Sequence, residues 1–228
     1  MEDFNLSTDT SFGEVRFFDD FTDDTVDTFV YDIDTDRTAW AIGQAANGVI
    51  TCAGTTNGDL EKIAGNCNWV AGTMGTIVFE ARVQLDTSIT QGCFIGLSDD
   101  NTTDEIPIDL DGGTLSTTAT DAVGFVYDSQ EGTSWYCCSV KAGSDGAQTE
   151  CDAEFDPVAE TYQTFRIIVN LAGDVRYFIN GKEITTSGAA RSAAVTTTAV
   201  LCPHVDHLNS GTASGLTMDY LYVSGGRA

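Results

Sequence analysis

The residues whose types and spacing best fit catalysis are three alternating acids, Glu150, Asp152 and Glu154. Two carboxyl groups about 5 Å apart on one face of a strand can cleave a glycosidic bond with retention, and alternate positions of a strand provide that spacing. However, the segment is rich in Gly and Asp and lacks the flanking apolar alternation of a strand. In a chain with 35 acidic residues such a match arises by chance. We therefore predict no catalytic residues, and Glu150 and Glu154 are the only carboxylates that the sequence nominates for hydrolysis.

Two acidic segments resemble parts of calcium-binding loops. Residues 32–37 read DIDTDR, but an EF-hand needs Gly at position six and Glu at position twelve, where this chain has Arg37 and Gly43. Asp109 and Asp111 precede a Gly-Gly turn, which is sufficient for a surface calcium ion, although a solvated acidic loop is the simpler interpretation. No metal ligand or cofactor is therefore predicted, and a surface calcium ion remains the open alternative.

The two histidines, His204 and His207, flank Asp206. Residues three apart share a face only on a helix, and Pro203 with its polar neighbours predicts a loop over residues 204–214. No third ligand is evident, and neither histidine accompanies a G-x-S-x-G nucleophile motif. The pair is therefore not expected to form a metal or hydrolase site.

Three tryptophans, Trp40, Trp69 and Trp135, together with Tyr136, are candidates for a platform on which sugars stack. Such residues more often belong to a core or an oligomer interface.

Seven cysteines with irregular spacing do not form a disulfide framework or a zinc motif. Buried free thiols are the preferred interpretation. The alternative is a disulfide between Cys138 and Cys151 that closes one loop.

The chain carries a net charge of −25, from 35 acidic and 10 basic residues. Such a surface repels phosphate backbones, so nucleic-acid binding is not expected. No apolar run approaches the ~20 residues of a membrane span, and the first residues lack the basic and apolar regions of a signal peptide. We therefore expect no membrane association. The chain is expected to be released in a cytoplasm or exported by a route that the sequence does not show. The charge fits either salty surroundings or a cationic partner.

Residues 164–186 predict an antiparallel meander. Alternate residues from Phe165 to Leu171 are apolar, the period of two of a strand with one buried face. A Gly-Asp turn leads into a second strand over residues 175–179. Asn180-Gly181 then favours the positive φ angles of a tight hairpin before a third strand.

Further strands are predicted at roughly ten-residue spacing, as in sandwiches and barrels. Their bounds are residues 15–18, 29–33, 38–42, 48–52, 60–64, 76–85, 93–97, 123–127, 134–140, 195–202 and 216–223. Segment 93–97 is expected to pair with 76–85, and 134–140 with 123–127. We predict an all-β fold, a single jelly-roll β-sandwich of two antiparallel sheets over residues 15–228, preceded by an N-terminal arm over residues 1–14.

Several stretches, taken together, resemble the concanavalin A-like lectin/glucanase (laminin-G-like) jelly roll. They are FFDDF near the start, FEARVQLD followed by GCFIGLSDD, then YQTFRIIVNLAGDVRYFINGKEI, and finally LTMDYLYVSG. The resemblance covers about residues 15–225. It implies the sandwich fold and is weakly specific for function, since that fold serves lectins, glucanases, adhesion modules and viral surface proteins.

A single acidic domain of this type is similar to the jelly-roll proteins carried on tailed-bacteriophage particles. That resemblance implies a non-enzymatic virion structural protein, a capsid decoration or cement protein that binds the major capsid protein from outside. It also implies a homotrimer on the capsid exterior, made in the host cytoplasm. The alternative is a carbohydrate-binding, lectin-like module or adhesin with a glycan partner, and a glycoside hydrolase is the least favoured interpretation.

Overall fold

A computed structural model describes residues 13–33, 40–43, 48–211 and 213–226 of the chain. The strands are β1 (Glu14–Asp19), β2 (Tyr31–Ile33), β3 (Ala41–Gly43), β4 (Val49–Gly54), β5 (Leu60–Gly65), β6 (Ile77–Leu85), β7 (Gln91–Ser98), β8 (Ile108–Asp111), β9 (Thr114–Thr117), β10 (Ala122–Asp128), β11 (Tyr136–Lys141), β12 (Ser144–Asp145), β13 (Thr149–Glu150), β14 (Tyr162–Val169), β15 (Val175–Ile179), β16 (Lys182–Glu183), β17 (Cys202–Asn209) and β18 (Ser214–Gly226). The helical structure in these ranges is one 3₁₀ turn, Ala153–Phe155. None of the described helices is long and apolar enough to cross a bilayer.

Two large antiparallel sheets form the sandwich. Sheet A has the order β16-β15-β14-β6-β18-β4-β3, with β1 also paired to β18. Sheet B has the order β12-β11-β10-β7-β17-β5-β2, with β13 also paired to β11, and β8 and β9 form a separate hairpin. This architecture confirms the predicted all-β jelly roll of two antiparallel sheets.

The predicted meander is the edge of sheet A formed by β14, β15 and β16. Alternate residues of β14, from Gln163 to Val169, are buried. Asn180 and Gly181 have φ angles of 52° and 76°, the left-handed values that the tight turn between β15 and β16 requires. The meander joins the rest of the sheet because β14 pairs with β6 in register along its whole length.

The core between the sheets is built from alternate residues whose side chains point inward. On β6 these are Ile77, Phe79, Ala81, Val83 and Leu85, and all of them are buried. Aromatic rings join the two sheets at its centre. The ring centroid of Phe165 in sheet A lies 5.2 Å from that of Phe125 and 4.7 Å from that of Trp135. Both pairs have the edge-to-face geometry that aromatic rings prefer.

The outer face of sheet B is covered as well, by the β8–β9 hairpin and the segments beside it. Ile108 and Leu110 of the hairpin pack with Phe94 of β7 and with Ala122 and Val126 of β10 in a second apolar cluster. As a result, every residue of β7 and of β10 is buried. Sheet B is thus a middle layer wherever the hairpin covers it.

One predicted strand pairing, one predicted strand and one predicted loop are wrong. β7 does not pair with β6 but lies in the other sheet, between β10 and β17. Residues 195–201 contain no extended strand, and the predicted loop over residues 204–214 contains most of β17 instead. Both faces of β17 are covered, so its side chains do not show the alternation that marks a half-buried strand.

The predicted N-terminal arm, residues 1–14, falls almost wholly outside the described residues. β1 begins at Glu14 and pairs with the last strand, Glu14 opposite Gly226.

A close approach of β7 and β10 provides a test of the buried middle layer. Gly96 faces Gly124, and a Cβ added at Gly96 would lie 2.2 Å from the Val123 carbonyl oxygen. Because the backbone itself is the obstacle, we expect Gly96→Ala to lower the free energy of unfolding by about 2–3 kcal/mol in a denaturant titration. At Gly132, an added Cβ meets nothing closer than 3.6 Å. Gly132→Ala is the control, and an equal loss in both variants would contradict the packing described.

Candidate functional site

The three alternating acids of the sequence do not share a strand face. Glu150 ends the two-residue strand β13, whereas Glu154 lies in the 3₁₀ turn. Lys182 Nζ donates to Glu154 Oε1 at 2.5 Å, and both side chains are exposed. Asp152 is also exposed and precedes the turn. These three residues therefore lie on the surface in different elements and do not line one face of a strand.

The predicted sugar platform does not form. Trp40, Trp69 and Trp135 are all buried in the core between the sheets, and Trp135 Nε1 donates to Gln163 Oε1 at 3.1 Å. Tyr136 is half-buried on the opposite, outer side of sheet B. The four rings therefore offer no common face to a ligand.

The histidines lie in strand β17 and point to opposite faces. His204 and Asp206 face outward, with His204 Nδ1 3.4 Å from Asp206 Oδ2, and both are buried. Burial raises the pKa of Asp206, and neither side chain makes a hydrogen bond to another described residue. His207 points inward. The alternation of a strand separates the pair that the sequence places only three residues apart.

The cysteine pair proposed from the sequence is displaced by one residue. Cys137 faces Cys151 across the core side of β11, with the two Sγ atoms 3.7 Å apart, whereas Cys138 points to the outer face. A one-residue step along a strand reverses the face, which explains the error. All seven cysteines are free thiols in this structure, and Cys67 is the one that is not buried.

A cavity of about 400 Å³ lies between the hairpin and the outer face of sheet B. Leu60 of β5 and Leu208 of β17 form part of its apolar floor, and the hairpin and the segment before it supply polar walls. Its lining residues are Gly58, Leu60, Asp104, Glu105, Ile106, Asp109, Ser116, Thr118 and Leu208. Three carboxyl groups and two hydroxyl groups thus surround an apolar base, a combination suited to a polar organic ligand.

Lys62 fixes the wall that carries Asp104. Its side chain is completely buried, and Nζ donates to the carbonyl oxygens of Asn101 at 3.2 Å and Thr103 at 3.0 Å. Nζ also lies 3.1 Å from an Asp32 carboxylate oxygen and 3.3 Å from one of Asp104. Burial lowers the pKa of Lys62, but these two carboxylates outweigh it, so the pKa lies above its ordinary value. The lysine therefore stays charged and holds the Asp104 side chain in an ion pair.

Asp109 faces the same cavity from β8 in a different electrostatic setting. Burial raises its pKa to about 6. A hydrogen bond from the Leu110 N–H to Asp109 Oδ1, 2.8 Å long, opposes this shift. The negative charges of Asp128, Asp111 and Glu131 raise the pKa further. Asp109 therefore keeps its proton to a higher pH than an ordinary carboxyl group does.

The cavity thus has one carboxyl group that tends to hold a proton and one carboxylate that is paired with a buried cation. A carboxyl group with a raised pKa that shares a cavity with a second acid is typical of acid–base catalysis. The sequence singled out Asp109 only as a calcium ligand, and it did not single out Asp104 or Lys62. A lysine at the middle of the largely apolar segment 60–65 was the signal available for Lys62.

No family model matches the chain, and no curated protein sequence matches it significantly. Among solved structures it is similar to the β-glucanase of Bacillus licheniformis, with a TM-score of 0.64, 10% identity, and 93% of this chain and 98% of that one covered. It is also similar to a family 16 endo-glucanase from Bacteroides ovatus (TM-score 0.63, 10% identity, 91% and 99% covered). A third similar structure is a β-1,3-1,4-glucanase, or lichenase, from a mouse hindgut metagenome. Its TM-score is 0.61 at 8% identity, with 94% of this chain and 100% of that one covered.

These similarities confirm the concanavalin A-like fold. They also contradict the prediction that the chain is not an enzyme, because the structures it resembles are mostly glycoside hydrolases. Nothing among them supports the predicted virion context. At identities this low the likeness concerns the fold, and the reaction of this chain has to be argued from its own residues.

The anchoring role of Lys62 predicts a large and local effect of its removal. We expect Lys62→Met to lower the free energy of unfolding by about 2–3 kcal/mol, because two carbonyl groups and two carboxylates lose their partner. Amide hydrogen exchange in residues 99–106 should accelerate in the same variant. Lys182→Met, which removes an exposed ion pair with Glu154, should cost less than about 1 kcal/mol. Equal losses would show that the buried lysine is not an anchor.

The raised pKa of Asp109 predicts a stabilising substitution. Since its folded-state pKa of about 6 exceeds its ordinary value of 3.8, ionisation destabilises the fold as the pH rises through this interval. Asp109→Asn should therefore raise the free energy of unfolding at pH 8 by about 1–2 kcal/mol, a figure reduced for partial exposure, and change it little below pH 4. Asp152→Asn on the exposed surface is the control. The same pH dependence in the control would refute the assignment.

Proposed function

We propose that the chain is a carbohydrate-active enzyme that cleaves glycosidic bonds in the cavity between the β8–β9 hairpin and sheet B. The observation that carries this proposal is the contrast between Asp109, whose pKa is raised to about 6, and Asp104, which is ion-paired with Lys62, on the walls of one cavity. Glycoside hydrolysis needs one protonated carboxyl group and one carboxylate. The likeness to glucanases supports the class of substrate.

In this proposal Asp109 is the general acid. Its proton passes to the glycosidic oxygen as the bond to the sugar carbon breaks. The Asp104 carboxylate either takes a proton from the attacking water or attacks the sugar carbon itself and is released by water in a second step. NMR of the first-formed anomer distinguishes these two routes. Ser116 and Thr118 supply hydroxyl groups that can bind those of the sugar.

A neutral glycan is the favoured substrate. The net charge of −25 and the acids around Asp109 disfavour a polyanionic chain in the same cavity. Neutral β-glucans are accordingly the first substrates to test, and the names of the similar structures include β-1,3-1,4-glucanase and laminarinase.

The proposal is tested by incubating the protein with mixed-linkage β-glucan and with laminarin and measuring reducing ends across pH 4–9. We expect a rate that falls above about pH 6, as Asp109 loses its proton, and a loss of 100-fold or more in Asp109→Asn.

The double variant Glu150→Gln, Glu154→Gln is the matched control and should retain full activity. Undiminished activity of Asp109→Asn would overturn the assignment of the acid. Retention of the wild-type protein on a polysaccharide column without release of sugars would overturn the hydrolytic proposal.

The predicted capsid decoration role, with the major capsid protein as partner and a homotrimer on the capsid exterior, gains no support from the similar structures and stays a prediction. The prediction of no cofactor is not tested either, and a surface calcium ion at Asp109 and Asp111 stays the alternative to it. In this structure Asp109 Oδ1 accepts the Leu110 N–H, and the Gly112 N–H donates to Glu131 Oε1 at 3.0 Å.

A further inference from the structure

Three buried side chains of different chemistry converge inside the sandwich, on the opposite side of sheet B from the cavity. Cys52 comes from β4 of sheet A, whereas Glu61 on β5 and His207 on β17 come from sheet B. One potential ligand atom from each lies within 4.8 Å of the others. Cys52 is 5% exposed, Glu61 1% and His207 0%. The cluster is therefore a cross-sheet contact closed to bulk solvent.

The hydrogen bonds of the cluster leave one group without a partner. His207 Nδ1 lies 2.7 Å from Glu61 Oε2, and His207 Nε2 lies 2.9 Å from Ser214 Oγ. Ser214 Oγ donates in turn to Asn209 Oδ1 at 3.0 Å. Glu61 Oε1 is buried and has no hydrogen-bond partner among the described residues. A buried carboxylate oxygen without a donor is costly, and a cation is one of the few groups that compensate for it.

Hydrogen bonds link Ser214 to His207 and His207 to Glu61, as in the catalytic triad of a serine hydrolase. These residues nevertheless do not form a working triad. Ser214 is 2% exposed, and it does not line the cavity beside the β8–β9 hairpin. A nucleophile that no substrate can reach performs no acyl transfer. The arrangement is better suited to a small ion than to an organic substrate.

We propose that Cys52, Glu61 and His207 bind a divalent transition-metal ion of the zinc type. Thiolate, imidazole and carboxylate are all ligands that zinc accepts, and this mixed set disfavours magnesium or calcium, which prefer oxygen alone. One thiolate and one carboxylate also neutralise the two charges of the ion, so the loaded site places no net charge in the core.

Binding follows a simple balance of protons. Two protons leave as the ion binds. The Cys52 thiol releases one as the metal–sulfur bond forms. The other is the proton between His207 Nδ1 and Glu61 Oε2, and its loss frees that nitrogen and the carboxylate for the ion, while His207 Nε2–H keeps its hydrogen bond to Ser214 Oγ. Because the site is buried, the ion is incorporated as the chain folds. The bound ion ties β4 in sheet A to β5 and β17 in sheet B, so its role is structural and independent of the proposed reaction.

The first experiment measures zinc in the full chain, produced in zinc-supplemented medium and purified without chelator. We expect close to one zinc per chain by mass spectrometry after extensive dialysis. Protein produced with cobalt should show the intense thiolate-to-metal absorption band that surface carboxylates cannot generate.

Cys52→Ser should lose the cobalt band and most of the zinc. The matched control is Cys138→Ser, a buried cysteine on the outer face of sheet B, which should keep both. The thermal midpoint of the wild-type protein should fall by several degrees when the metal is stripped with a strong chelator. Wild-type protein without stoichiometric metal, or equal metal in Cys52→Ser and wild type, would overturn the proposal whether or not the variant is less stable.

Discussion

The structure depends on the burial of sheet B on both of its faces. One face packs on sheet A, and the other lies beneath the β8–β9 hairpin, so β7 and β10 have no solvent-facing residue. A polar side chain buried on either face of this sheet therefore needs a partner in a restricted space. Lys62 finds one by binding the segment that passes over it, and the chain beside the cavity takes its shape from that bond. The polar chemistry on the two sides of the sheet, at Asp104 and at Glu61, follows from the same constraint.

The two proposed sites use burial in opposite ways. At the cavity, partial burial keeps a proton on Asp109 while solvent and a ligand can still enter. Inside the sandwich, complete burial makes the free oxygen of Glu61 a liability that a metal ion would remove. The first arrangement sacrifices some stability near neutral pH for a reactive group, a trade common at active sites. The second would add stability by joining the sheets.

The sequence was sufficient for the parts of the fold with one buried face. The regular alternation of β6 and of the meander identified both, and Asn180-Gly181 located the tight turn. It failed at β17, where Pro203 and two histidines suggested a loop and where burial of both faces removes the periodic signal. The β8–β9 hairpin was hidden in a polar stretch because most of its stability comes from contacts with a sheet made elsewhere in the chain. The cavity depends on that hairpin, and so its carboxyl groups could not be grouped from spacing alone.

The order of strands also bears on how the chain acquires its shape. β17 lies between β5 and β7, and β18 between β4 and β6, so the last two strands occupy the middle of the two sheets. A ribosome must therefore deliver residues 202–226 before either sheet can close. Until then the earlier strands expose unpaired edges, the kind of surface on which nascent chains associate wrongly. With so many contacts between distant parts of the chain, folding is expected to be slow and to follow the synthesis of β17 and β18. The strong negative charge then has a further consequence, because mutual repulsion opposes contacts between incompletely folded copies of this chain.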